Sequence, residues 1–144
     1  MKITFEKKHP NATTPTKAHE EDACFDLYAC EDQIIPVGQV TRVNCGIAFQ
    51  TPEGWECQVR GRSGNASKGL WVHFGTGDAN YPESYQAIVV NVSGKPWVVS
   101  AGNGRDVKPD RICQVKFERV ESFTLVEGVV TSTKRQSGFG STGK

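Results

Sequence analysis

Four stretches of this sequence combine acids, guanidinium groups, hydroxyls and glycines in ways suited to holding and cleaving a phosphate ester. In Arg60-Gly-Arg-Ser-Gly-Asn-Ala66, Arg62 offers a planar fork for phosphate, and Ser63-Gly64 can bring a hydroxyl and a bare N–H to the same oxygens. In Gly75-Thr-Gly-Asp-Ala-Asn-Tyr81, Asp78 can serve as a general base and Tyr81 as a flat face, while Gly75 and Gly77 permit close backbone approach to a ligand. Cys24-Phe-Asp-Leu-Tyr-Ala29 sets Asp26 between apolar residues. Gly138-Phe-Gly-Ser-Thr-Gly-Lys144 fits most of the phosphate-loop pattern, yet such a loop must open a helix and none follows. Its glycines, Ser141 and Thr142 can instead wrap an anion in a backbone nest, with Phe139 stacking on something: a lid that orders on its ligand. Taken singly, each stretch also reads as ordinary surface, namely a solvated arginine turn, an Asp-bearing turn or a polar tail.

The elements that must position these residues read as strands. From residue 33 on, runs rich in Val, Ile, Phe and Trp recur between turn residues: QIIPVGQ, VTRVNCGIAFQTPEG, WECQVRG, LWVHFG, YQAIVVNVSGKP and WVVSAGNG. That spacing predicts an all-β sandwich or barrel. No window of ten or more residues carries an apolar period of 3.6, so SGNASKG offers at most one helical turn. Gly75–Tyr81 lies between LWVHF and YQAIVVNVS and reads as a hairpin. In Arg111-Ile-Cys-Gln-Val-Lys-Phe117, Cys113, Val115 and Phe117 share one face, and Gln114 and Lys116 the other, so Gln114 can face a site. After Val130 the composition turns polar and glycine-rich, which divides the chain into a domain over 1–130 and a tail over 131–144.

At 144 residues the chain suffices for one domain that buries roughly two thirds of its unfolded surface. With 17 Lys and Arg against 16 Asp and Glu, no global basic field argues for nucleic acid as a partner, so any anion site must be local. Five cysteines without a C-x-x-C pair argue against a disulfide framework or a zinc site and suit a reducing cytosol. MKITFEKKHP lacks the apolar stretch of a signal peptide and no run approaches membrane-spanning length, so a cytoplasmic protein without a membrane partner is expected, in the host's cytoplasm if it is viral.

Taken in order, CFDLYA, GRSGNAS, GTGDANY, DRICQ and GFGSTG resemble the five motifs of the homotrimeric dUTPase family, from about residue 22 to the end. The resemblance implies a jelly-roll-like distorted β-barrel with a flexible C-terminal tail. It implies Mg²⁺-dependent hydrolysis of dUTP to dUMP and pyrophosphate, which keeps uracil out of DNA and supplies dUMP for dTMP synthesis. Asp78 would hold and deprotonate the water attacking the α-phosphorus, and Asp26 would anchor Mg²⁺ through a coordinated water. Arg62, Ser63, Gly64 and Gln114 would hold phosphate oxygens. The hairpin around Gly77 would offer main-chain groups to the uracil edge, and Tyr81 would leave no room for a 2′-hydroxyl. In this family each active site is shared by three subunits, so the tail would close over nucleotide bound by its neighbours. Phe139 would stack on uracil there, with Gly140, Ser141 and Thr142 at the substrate.

Departures from the family pattern are Cys24 for glycine, Gly61 for proline, Asn80 for an acid, and Pro82-Glu83 for Arg-Gly. Val72 and His73 stand where an asparagine often contacts the base. The tail's arginine is displaced by one residue, with Lys134 at the usual position, and Arg135 is favoured for the γ-phosphate. His9, His19 and His73 receive no catalytic role, His73 reading as hairpin packing. Two rivals are weighed. GRSGNASKGLWVH and VSGKP are also similar to the related dCTP deaminases, but Ala87–Val92 supplies no glutamate to activate water. A dUTPase-like nucleotide-binding regulatory protein is the other, against which stands the full set of catalytic residue types.

Overall fold

The computed structural model describes residues 1–131, and these form an all-β, jelly-roll-like barrel. Ten strands follow one another: β1 (Thr4–Lys7), β2 (Phe25–Tyr28), β3 (Gln33–Ile35), β4 (Val40–Gln50), β5 (Trp55–Arg60), β6 (Leu70–Val72), β7 (Gly75–Gly77), β8 (Tyr85–Asn91), β9 (Trp97–Val99) and β10 (Arg111–Arg119). The one helical turn, α1 (Ser63–Ala66), lies where SGNASKG allowed one. One sheet has the order β1-β4-β8-β6, the second β2-β10-β5-β7, and β3 pairs with β9. All these pairings are antiparallel.

Alternation along the strands fills the space between the two large sheets. On β8, Tyr85, Ala87, Val89 and Asn91 point inward, and on β5 Cys57 and Val59 do. They meet Leu27 of β2, Val43 and Ile47 of β4, Leu70 of β6, and Ile112 and Val115 of β10 in one core. Phe49 bridges the sheets, edge-on to Tyr85 at 5.4 Å and to Phe117 at 5.1 Å between ring centroids. Asn91 is fully buried but satisfied: its amide donates to the carbonyls of Ile35 and Lys95 at 2.9 and 2.8 Å, and its Oδ1 accepts from the Ser93 N–H and hydroxyl.

The longest strand, β4, serves two partners because it bends. Its pairing with β8 shifts between Asn44 and Ile47, where Gly46 sits at φ 64° with its N–H held by Asn44 Oδ1 at 2.9 Å. A Cβ at Gly46 would stand 2.7 Å from that of His9. Only glycine fits this bulge, on both conformation and space. Beyond it, β1 adds to the edge, a strand outside the sequence expectation, since all four of its residues are exposed and give no buried face to read. The last strand ends at Arg119, the Val120 N–H still donates to Gly54 O at 2.9 Å, and residues 121–131 continue without paired structure. Among them Phe123, Leu125, Val126, Val129 and Val130 are almost wholly exposed.

Candidate active site

β10 lies between β2 and β5, so Gln114 sits opposite Asp26 on one side and Arg60 on the other. Gln114 Nε2 donates to the Gly61 carbonyl at 2.7 Å, where β5 gives way to α1. Arg62 caps that turn with extended backbone (φ −99°, ψ 132°), and its guanidinium turns back onto β2. Its Nε donates to Asp26 Oδ1 at 2.7 Å, and Arg111 Nη1 donates to Oδ2 at 3.2 Å. The Asp26 side chain is only 13% exposed and that of Arg62 23%, so pairing is what makes the buried carboxylate tolerable. The Ser63 and Gly64 N–H groups open the turn, where no carbonyl of the helix faces them, and space beside Gly64 is empty. These groups line a cleft of about 320 Å³, with Cys24 at its wall. Asp22 lines the cleft as well, so its two carboxylates balance the two guanidiniums, and what suits it to an anion is the set of aimed donors rather than net charge.

Asp78 lies elsewhere. β6 and β8 do pair, but the segment between them is not a simple hairpin. Residues Gly75–Gly77 cross to the other sheet, where Gly77 sits opposite Cys57 and Gly75 opposite Val59. Apolar runs with a turn between them cannot show such a crossing, which explains the hairpin expectation. After Gly77 the chain turns at Asp78–Tyr81: the Tyr81 N–H donates to the Asp78 carbonyl at 3.3 Å, and Asn80 adopts φ 61° while donating to Thr51 O at 3.0 Å. Asparagine tolerates this left-handed conformation as an aspartate would, so Asn80 keeps the turn. Asp78 is exposed, and Tyr81 packs edge-on to Tyr85 at 5.6 Å. Both line a second cleft of about 520 Å³, with Arg42, Glu83 and Gln86.

Glycine at position 77 also has a reason in the core. A Cβ there would lie 2.0 Å from the Tyr85 hydroxyl, so the missing side chain makes room for a core tyrosine. Gly75 has only ordinary contact with Val59. His73 is exposed, its N–H donating to Ile88 O at 2.8 Å in line with the β6–β8 ladder, so it does not pack the segment's interior.

Residues 10–143 match the family model described as dUTPase. The chain belongs to the dUTPase family. Over its whole length it is 37% identical to a deoxyuridine 5'-triphosphate nucleotidohydrolase of Solibacter usitatus, covering 97% of that protein. A second relative of that name, from Mycobacterium marinum, is 36% identical over 93% of this chain and 90% of its own. Among solved structures, the dUTPase of Staphylococcus bacteriophage 80alpha with dUpNHpp superposes with a TM-score of 0.79 at 20% identity, over 99% of this chain and 98% of that one. A mutant dUTPase from phage phi11 of S. aureus, whose structure concerns the coordination of a structural Mg(II) ion, gives 0.74 at 18% over 89% and 97%.

Against the dUTPase motifs, the structure brings Asp26, Arg62, Ser63, Gly64 and Gln114 to one cleft and puts Gly77, Asp78 and Tyr81 at the other. Arg135, Phe139, Gly140, Ser141 and Thr142 lie outside the described residues. The first cleft also has charged members that the sequence reading does not single out: Asp22, and Arg111, whose signal is its place in DRICQ with Gln114. Among the described residues no three His, Cys, Asp or Glu side chains form a metal cage. Asp26 accepts one N–H on each oxygen, which leaves lone pairs for a metal-bound water. A magnesium ion that keeps its waters and sits on substrate phosphates fits such an acceptor.

Proposed function

We propose that this dUTPase hydrolyses dUTP to dUMP and pyrophosphate at sites shared between the subunits of a homotrimer. The observation that carries the reading is the full-length likeness to deoxyuridine 5'-triphosphate nucleotidohydrolases at 37% identity, and the two clefts lined by Arg62 and by Asp78 support it. Arg62, the Ser63 hydroxyl, the Gly64 N–H and Gln114 take the phosphate oxygens. As preoriented donors they stabilise the charge that grows on the leaving pyrophosphate. Mg²⁺, held by Asp26 through a bound water, supplies neutralisation of the triphosphate. Asp78 holds the attacking water and takes its proton, while Tyr81 lies under the sugar and the main chain about Gly77 reads uracil. Arg135 and the Phe139–Thr142 segment close the site.

Asp78 and Arg62 line different clefts of one chain, and this supports a shared site. So does the apolar stretch over 120–131, which the other described residues leave exposed. Deamination is disfavoured, because the outward residues of β8 are Gln86, Ile88 and Val90 and none can activate water.

The test is pyrophosphate release with Mg²⁺ from dUTP, dCTP, dTTP and UTP, with the nucleotide products identified. Turnover of dUTP alone, giving dUMP, is expected. Asp78→Asn should lose about 10²–10⁴-fold in kcat while still binding nucleotide, as removal of a general base does. Absence of turnover with all four nucleotides would overturn the reading.

A further inference from the structure

The first cleft contains two charged residues that the proposed chemistry does not use, Asp22 and Arg111, and only Arg111 bonds to Asp26. Three observations converge on this arginine. Regular alternation along β10 would put Arg111 on the inner face with Cys113 and Val115. The strand instead has a bulge between Arg111 and Cys113, so that Ile112 and Cys113 are both buried and Arg111 emerges beside Asp26. Re-aiming one side chain is what such a bulge does. Second, Arg111 holds the Asp26 oxygen that Arg62 does not. Third, the Asn65 amide donates to the carbonyls of Arg111 and Ile112 at 2.9 and 3.3 Å, which pins the bulge to the turn that begins with Ser63.

The Asp26–Arg62 pair poses a difficulty for a phosphate site. Arg62 must bring its fork to the substrate, yet its Nε is committed to a carboxylate only 13% exposed. If Arg62 turned away and nothing else held Asp26, a buried charge would be stranded. Arg111, 47% exposed, can keep its bond to Oδ2 at little cost in desolvation. We propose that Arg111 is a positioning residue: it keeps Asp26 paired and oriented while Arg62 shifts its donors from Asp26 to the phosphates. The inference rests on the dUTP-hydrolysing reading above.

Without Arg111, Asp26 would hold Arg62 alone, and substrate would have to break that pair unaided. The test is calorimetric titration of the full-length protein with dUpNHpp and Mg²⁺, for wild type, Arg111→Met, Arg111→Lys, Asp26→Asn and the Asp26→Asn/Arg111→Met double variant. Arg111→Met should weaken binding about tenfold or more, the scale of one hydrogen bond to a charged group. Arg111→Lys restores the charge without the fork, so it should weaken binding less. In the Asp26→Asn background, where no buried charge needs a partner, adding Arg111→Met should change the Kd by less than about twofold. A merely structural arginine would cost the same in both backgrounds, and that result, or an unchanged Kd in Arg111→Met, overturns the role. Should Arg111→Met fail to fold, Arg111→Lys in the two backgrounds gives the same comparison. dUTP turnover by the wild type is measured alongside. A wild type that neither cleaves dUTP nor binds the analogue overturns the substrate reading and the role together. Turnover with unchanged binding in the variants overturns the role alone.

Discussion

Tyr85 connects the Asp78–Tyr81 turn to the core, and its surroundings decide what its neighbours can be. Its ring lies under Gly77, beside Tyr81 and against Phe49, and its hydroxyl, like that of Thr51, is buried with no partner in hydrogen-bond geometry. Gly77→Ala would push a methyl group into that ring. A loss of about 1–3 kcal/mol is expected, the scale of core overpacking, seen as a lower Tm in thermal melts. Tyr85→Phe alone should be near neutral, since it removes a hydroxyl that bonds nothing, and it should recover part of the Gly77→Ala loss by removing the closest atom of the clash. Burial also pushes the Cys57 thiol up to about 12 and the Cys30 thiol up to about 11, and lifts the Tyr85 phenol well above its ordinary value. Cys113 is raised too, first by its hydrogen bond with Cys45, 4.0 Å away between sulfurs, and then by burial. These groups stay protonated in the folded chain while the unfolded chain ionises its thiols near 9. The unfolded state therefore binds fewer protons above that pH. Stability is intact below about pH 8.5 and falls as pH rises toward 12, by up to about 1.4 kcal/mol per pH unit for each such group. Melts between pH 7 and 10.5 should show the decline, and Cys57→Ala should make it shallower.

At the scale of elements, most strands could be read because β-branched and aromatic residues cluster between glycines. YQAIVVN and WECQVR alternate as half-buried strands must. What could not be read were departures from alternation. The Arg111–Cys113 bulge buries two successive residues, and the crossing at Gly75–Gly77 is a three-residue strand with no apolar side chain. Both shape the clefts, which is why Arg111 escaped notice and the hairpin was misread. The role of Asn65 was likewise illegible, because its amide acts on carbonyls 46 and 47 residues away. Asn65→Ala should disconnect α1 from the bulge. We expect a modest stability loss of about 1 kcal/mol and a rise of several-fold in KM for dUTP with kcat nearly kept, because the phosphate donors lose their placement and the base does not. Steady-state kinetics and a melt of the same preparation check both halves; a fall in kcat alone would contradict the assignment.

For the whole molecule, the central feature is that, among the described residues, no cleft holds both Arg62 and the proposed base. Arg62 faces one cleft and Asp78 the other, and the apolar run from Phe123 to Val130 projects without cover. The five ordered motifs made the family legible from sequence. Their division between two clefts became visible only with the sheets, because strand order, not chain order, decides which motifs meet. If sites form between subunits, two differently crippled chains should repair each other. Arg62→Gln and Asp78→Asn proteins are each expected to be inactive. Mixed in equal amounts under conditions that let subunits exchange, random trimers would pair an intact Asp78 with a neighbour's intact Arg62 at about a quarter of their sites. Activity should thus rise from near zero toward about a quarter of the wild-type value, on the time scale of exchange and only when chains are mixed. A site built within one chain gives no recovery at any mixing ratio, because every chain would then lack either its base or its phosphate grip.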